Sequence, residues 1–111
     1  MINIMNIDGY RAVIKYDPEI EMFRGEFSGL NGGADFYASD IDGLKKEGAI
    51  SLGVFLKACV ERNIEPGKEY SGKFNVRVPK RLHAVISTKA NAEGKSLNQW
   101  IVDTLNEASH L

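Results

Sequence analysis

Side chains that can read nucleic-acid bases alternate with apolar residues in the stretch 73–78. Lys73, Asn75 and Arg77 occupy every second position. Lys and Arg can donate hydrogen bonds to guanine and Asn can pair with adenine, so this set suits the major groove of DNA. The positions that alternate with them are Phe74, Val76 and Val78. The alternation predicts a strand over Gly72–Val78 with one polar and one apolar face. The alternative is an ordinary exposed strand face.

The predicted strand has no second strand after it with which to pair. Pro79 ends the alternation, and helical patterns fill the remaining residues. Because a lone strand leaves backbone donors and acceptors unpaired, we expect a second copy of the chain to pair with it antiparallel. Two-stranded ribbons of this kind form a class of DNA-binding element.

Two helices are predicted after Pro79, which suits a helix start because it lacks an N–H. Gly94 ends the first, and Ser96 opens the second with Gln99 at the capping-box position. A strand and two helices in about 40 residues cannot enclose a core, so two copies are expected to interleave their apolar stripes. The residues predicted to form this dimer core are Phe74, Val76, Val78, Leu82, Ile86, Leu97, Trp100, Ile101 and Leu105.

Lys95 and Ser96 form a second candidate contact with nucleic acid. A helix start carries free N–H groups and the positive end of the helix dipole, and Lys95 adds a charge. A DNA phosphate is therefore expected here. The alternative is a plain N-cap at Ser96 beside a solvated lysine.

Charge is distributed unevenly along the chain. The whole sequence has 14 basic and 15 acidic residues. Residues 1–70 contain 8 basic and 12 acidic residues, whereas residues 71–111 contain 6 basic and 3 acidic ones. A basic segment of this kind is typical of a phosphate-facing surface.

The N-terminal segment has the pattern of a small sheet covered by a helix. Alternation predicts three antiparallel strands, at 10–16, 22–27 and 34–39, joined by turns at Asp17–Pro18 and Asn31–Gly33. Residues 64–72 are rich in Pro and Gly and predict a domain boundary.

A long amphipathic helix should follow the sheet. Ser39 and Asp42 have capping-box spacing, and Asn63 suits a left-handed helix end. The weak points of this helix are Gly43, Gly48 and Gly53. Each costs about 1 kcal/mol relative to Ala, so the helix should bend or split unless close packing requires these glycines.

Other chemistry is poorly supported by the composition. The single Cys59 excludes an intramolecular disulfide and lies on the apolar face of the predicted helix, and His83 and His110 form no metal-ligand cluster with it. We therefore expect no cofactor and no bound metal. Without a signal peptide or a long apolar run, the chain is expected to be cytoplasmic and not membrane-bound.

The runs SGKFNVRVPKRLH and EGKSLNQWI, after a strand–strand–strand–helix segment, resemble the HicB antitoxin family in its variant with a ribbon-helix-helix domain. The resemblance covers nearly the whole chain. It implies an α+β protein with a partial RNase-H-like domain in residues 1–64, a linker in 65–70 and a ribbon-helix-helix domain in 71–111. It also implies that the first domain binds and masks a small HicA-type ribonuclease toxin. The second would form a homodimer, or a higher oligomer, that represses its operon by binding operator DNA.

The resemblance assigns DNA reading to Lys73, Asn75 and Arg77 and a phosphate contact to Lys95 and Ser96. It assigns no toxin contacts. Because an RNA-binding toxin is expected to be basic, the acidic residues around the first turn are candidates: Asp17, Glu19, Glu21 and Glu26. They are equally well explained as charges that keep the protein in solution.

Two other functions stay open at this point. The N-terminal domain of a repressor could sense a small ligand instead of a toxin. A metal-dependent nuclease would need several converging carboxylates, and Asp35, Asp40 and Asp42 could gather. The first predicted strand contains no carboxylate, however, so the chain is not expected to be an enzyme.

Overall fold

The computed structural model describes residues 3–110. The elements, in chain order, are β1 (Ile4–Ile7), β2 (Tyr10–Asp17), β3 (Met22–Phe27), β4 (Asp35–Ala38), α1 (Ile41–Arg62), α2 (Lys80–Ala92) and α3 (Leu97–Ala108). The α+β class is thereby confirmed. Residue contacts divide the chain into two units, Met1–Ser71 and Gly72–Leu111, which we call the head and the tail. The outermost ends of the two predicted domains, residues 1–2 and 111, lie outside the described residues.

The sheet of the head has four strands in the order β1-β2-β3-β4, and all neighbours are antiparallel. The prediction of three strands was wrong because it missed β1. This strand has only 4 residues, too few to show clear alternation. The better signal was the Asp8–Gly9 pair, whose positive φ angles of 50° and 87° form the two-residue turn into β2.

The strand boundaries also differ slightly from the predicted ones. Asp17 closes β2 opposite Met22 instead of lying in the turn. Its Oδ1 atom accepts a hydrogen bond from the Glu19 N–H at 3.0 Å, and Glu21 has a φ of 52°. The side chain of Asp17 therefore stabilises the turn from the end of the strand.

The ends of α1 are set by single polar residues. Asp40, not Ser39, is the N-cap, because its extended backbone lets Oδ1 accept from the Gly43 N–H at 2.6 Å. The predicted end at Asn63 is confirmed. Asn63 has a φ of 53°, and the next N–H, that of Ile64, donates to Cys59 O at 2.9 Å.

The glycines do not split α1, which is one helix of 22 residues. A Cβ atom on Gly48 would lie 2.4 Å from Ile7 Cδ1 and 3.1 Å from the Phe36 ring. Close packing therefore requires a glycine at this position. A Cβ atom on Gly53 would meet nothing within 4 Å.

The core of the head lies between α1 and one face of the sheet. Leu44 and Leu52 of α1 are almost fully buried there, and Cys59 is buried as predicted. The sheet residues in this core include Ile7, Ala12, Phe27, Phe36 and Ala38. The opposite face of the sheet, which we call the open face, carries the residues between them: Val13, Lys15, Arg24, Glu26, Asp35 and Tyr37.

Candidate functional site

The candidate base-reading residues lie in a segment of the tail that belongs to no helix or strand. Residues 73–79 have no regular secondary structure, and Lys73, Asn75 and Arg77 are all exposed. The predicted strand needs a second copy of the chain as its partner. The ribbon therefore stays a prediction.

The apolar residues of the same segment are exposed as well. The exposed fractions of Phe74, Val76 and Val78 are 72%, 68% and 40%. Of the other predicted dimer-core residues, the exposed ones are Leu82, Ile101 and Leu105, and the half-buried ones are Ile86, Leu97 and Trp100. Within the described part of the tail, Ala90 is the only buried hydrophobic residue. Contiguous apolar surface of this kind is typical of an interaction site.

The turn between α2 and α3 is fixed by backbone hydrogen bonds. Gly94 has a φ of 69°, its N–H donates to Asn91 O at 3.1 Å, and the Lys95 N–H donates to Ala90 O at 2.9 Å. This Schellman arrangement confirms Gly94 as the end of the first tail helix. At the other end of α2, Pro79 is the residue before the helix, one position earlier than predicted.

The start of α3 has the predicted N-cap. Ser96 Oγ accepts from the Gln99 N–H at 3.0 Å. The capping box is only half formed, because the Gln99 side chain donates to Asp103 Oδ1 at 2.7 Å instead of returning to Ser96. Ser96 therefore lies at the helix start, as a phosphate contact requires, with its hydroxyl oxygen engaged in capping.

Lys95 lies next to Ser96, but its ammonium group already has a partner. Lys95 Nζ is 2.8 Å from Asp103 Oδ2. The hydrogen bond to Asp103 raises the pKa of Lys95 above its usual value. The hydrogen bonds from Lys95 and Gln99 in turn lower the pKa of Asp103, so both groups are charged at neutral pH. This pair was missed because nothing in the sequence shows that residues 95 and 103 meet.

Trp100, predicted as a core residue, makes a polar contact. Its indole Nε1–H donates to Glu93 Oε2 at 2.6 Å and so links α3 to the end of α2. The ring itself is half-buried. An apolar ring with one satisfied polar atom suits the edge of an interface.

The structure brings together three of the four acidic toxin-contact candidates. Asp17, Glu19 and Glu21 lie within the β2–β3 hairpin turn or at its edge. Glu26 lies further along β3, opposite Val13 and Asp35. It is 3.6 Å from the Arg24 guanidinium, so its charge is partly balanced, unlike that of a free acidic cluster.

A shallow cleft of about 250 Å³ on the open face was not predicted. Its lining residues are Val13, Lys15, Arg24, Glu26, Phe27 and Ser28. Arg24 Nη2 is 2.6 Å from Asp35 Oδ2, and this hydrogen bond raises the pKa of Arg24. Arg24 Nε is buried without a hydrogen-bond partner. The strand alternation gave a signal for this site, since it places Lys15, Arg24 and Glu26 on one face.

The carboxylates considered for a nuclease have structural partners here. Asp35 pairs with Arg24, and Asp40 caps α1. Among residues 3–110, no group of three or more His, Cys, Asp or Glu residues is close enough to hold a metal ion. The same residues include no helix of the length and apolar character that a membrane span requires.

Comparisons with known proteins give one family. No curated protein and no solved structure matches the chain significantly. The model of the HicB family matches residues 55–105, so a HicB family domain extends from the second half of α1 into α3.

Proposed function

We propose that this protein is an antitoxin that masks a small HicA-type ribonuclease toxin and, as a dimer, represses its own operon. The observation that carries the proposal is the HicB family match, which includes the whole 73–78 segment. The protein then acts by binding alone and is not an enzyme.

Repression is assigned to the tail. Two copies pair their 72–78 segments into an antiparallel ribbon, which buries Phe74, Val76 and Val78 against the helices. Lys73, Asn75 and Arg77 of each copy then face the major groove. The exposure of the apolar residues in the single chain supports this step, because burial of Phe74 and two valines would stabilise the dimer.

Toxin masking is assigned to the head. Covering an RNA-binding surface needs complementary shape and charge but no chemistry. The hairpin carries the acidic residues Asp17, Glu19 and Glu21, which would attract a basic toxin. The open face beside it offers both charges and apolar surface for a specific contact.

The test of repression replaces Lys73, Asn75 and Arg77 by Ala together. The probe is the duplex upstream of the protein's own reading frame, with a scrambled duplex as reference. We expect the variant to lose specific binding in a gel-shift assay and to keep its toxin binding. The matched control is Lys45→Ala with Lys46→Ala, which also removes two positive charges, here from an exposed part of α1. A triple variant that binds the upstream duplex normally would show the ribbon assignment to be wrong.

The test of masking is co-purification with the product of the neighbouring gene, followed by mass measurement of the complex. A small basic partner whose ribonuclease activity disappears in the complex is expected. If no reading frame for such a protein lies beside this gene, a repressor with a ligand-sensing head becomes the better explanation.

A further inference from the structure

The Lys95 ammonium is held away from the start of α3. Its partner Asp103 lies seven residues beyond Ser96, which is about 10 Å along the helix axis at about 1.5 Å per residue. Helical side chains lean toward the N-terminus, so the Asp103 carboxylate reaches back and meets Nζ at 2.8 Å beside the helix. The charge that a phosphate would need at the helix start is thus bound elsewhere.

The Asp103 carboxylate is itself held in a defined position. Its Oδ2 accepts from Lys95 Nζ, and its Oδ1 accepts from Gln99 Nε2 at 2.7 Å. Both oxygens are therefore engaged by side chains from the first residues of α3 and the turn before it. A phosphate group would offer Lys95 the same kind of anionic oxygen.

We propose that Asp103 is an intramolecular competitor of the DNA phosphate for Lys95, and that it lowers the affinity of the repressor for its operator. This inference rests on the proposed function, since it concerns the phosphate contact assigned to Lys95. Binding to DNA requires Lys95 to exchange a carboxylate for a phosphate. Asp103 then loses its cation and lies near the negatively charged DNA backbone.

The exposure of the pair makes such an exchange feasible. The side chains of Lys95 and Asp103 are 37% and 38% exposed, so water and salt reach both groups. Exposed pairs of this kind are weak and are screened by salt. Asp103 thus tunes the affinity without preventing binding.

The test compares Asp103→Asn with Glu107→Gln in the full chain. Glu107 lies one turn further along α3, is exposed, and is not the hydrogen-bond partner of Lys95. Both variants remove one negative charge, but only Asp103→Asn frees Lys95. For Asp103→Asn we expect binding to the upstream duplex that is about two- to fivefold tighter per half-site at low salt. Its plot of log affinity against log salt should also steepen by up to about 0.9 per half-site, because Lys95 then contributes a full phosphate contact.

The same change in a Lys95→Ala background provides the decisive comparison. If Asp103 acts through Lys95, Asp103→Asn has no more effect there than Glu107→Gln. An Asp103→Asn variant that binds as the wild type does, or more weakly, would overturn the competition and show that Asp103 is neutral or positions Lys95 for DNA. Asp103→Ser serves as a second variant, with circular dichroism to verify folding. If the wild type and all variants fail to prefer the upstream duplex, the proposed function itself fails and the inference falls with it.

Discussion

At the scale of single residues, helix starts in this protein depend on one side-chain hydrogen bond each. Asp40 caps α1 through the Gly43 N–H, and Ser96 caps α3 through the Gln99 N–H. We expect Asp40→Ala to lower the free energy of unfolding by about 1 kcal/mol, since the freed N–H loses its partner. Ser39→Ala is the control and should leave stability nearly unchanged. Urea denaturation measures both, and an equal loss in the two variants would argue against Asp40 as the cap.

Lys95 is predicted to contact phosphate and not a base. Lys95→Ala should flatten the plot of log affinity against log salt by about 0.9 for each phosphate that the protein no longer neutralises, because fewer counterions are released on binding. Preference for the upstream duplex over the scrambled one should persist. Lys89→Ala, an exposed lysine near the end of α2, is the control with the same loss of charge. Lost sequence preference with an unchanged slope would instead make Lys95 a base-reading residue.

The Lys95–Asp103 pair should give the tail a measurable dependence on acid. Because the pKa of Asp103 is lower in the folded chain, its contribution to stability is present above the unfolded value of about 3.9. It is lost as the pH falls through the folded value. Thermal melts between pH 6 and pH 2, both chosen to bracket that range, should fall less steeply for Asp103→Asn than for the wild type. Equal slopes would mean that the pair does not stabilise the fold.

At the scale of elements, two glycines of one helix should respond in opposite ways to the same substitution. Gly48→Ala places a Cβ atom against Ile7 and Phe36, so we expect a loss of about 1–3 kcal/mol from overpacking, reduced by the gain in helix propensity. Gly53→Ala has open space around its Cβ atom and should gain up to about 1 kcal/mol. Chemical denaturation tests both. A stabilising Gly48→Ala would show that β1 does not pack closely on α1.

Elements with local signals could be predicted from the sequence. The end of α1 at Asn63, the end of α2 at Gly94 and the cap at Ser96 depend on residues within one turn, and all three were predicted correctly. β1 was missed because it is short and is held mainly by its pairing with β2. Its Asp8–Gly9 turn was nevertheless readable.

Contacts between distant residues could not be predicted in the same way. Neither the pairing of Lys95 with Asp103 nor that of Arg24 with Asp35 follows from local pattern, since each depends on how two elements are placed. For this reason the alternation indicated which residues share the open face, while the ion pairs and the cleft on it became visible only in the fold.

At the scale of the whole molecule, the two units differ in how far they bury their apolar residues. The head has a core between its sheet and α1, whereas Ala90 is the only buried hydrophobic residue in the described part of the tail. A unit of about 40 residues with so little buried surface is not expected to be stable alone. The tail should therefore fold together with that of a second copy, which makes its stability depend on protein concentration.

Val76→Asp should separate the two copies. A charge on the apolar face of the ribbon would be buried without a partner, which costs several kcal/mol, so we expect monomers at micromolar concentration and no specific DNA binding. Val54→Asp is the matched control, because Val54 of α1 is 67% exposed and Val76 is 68% exposed in the single chain. It should leave the dimer intact. Analytical ultracentrifugation over a range of concentrations measures both variants and the wild type. A wild-type protein that sediments as a folded monomer at high micromolar concentration would remove the basis of the ribbon, because each 72–78 segment would then be stable without a partner strand.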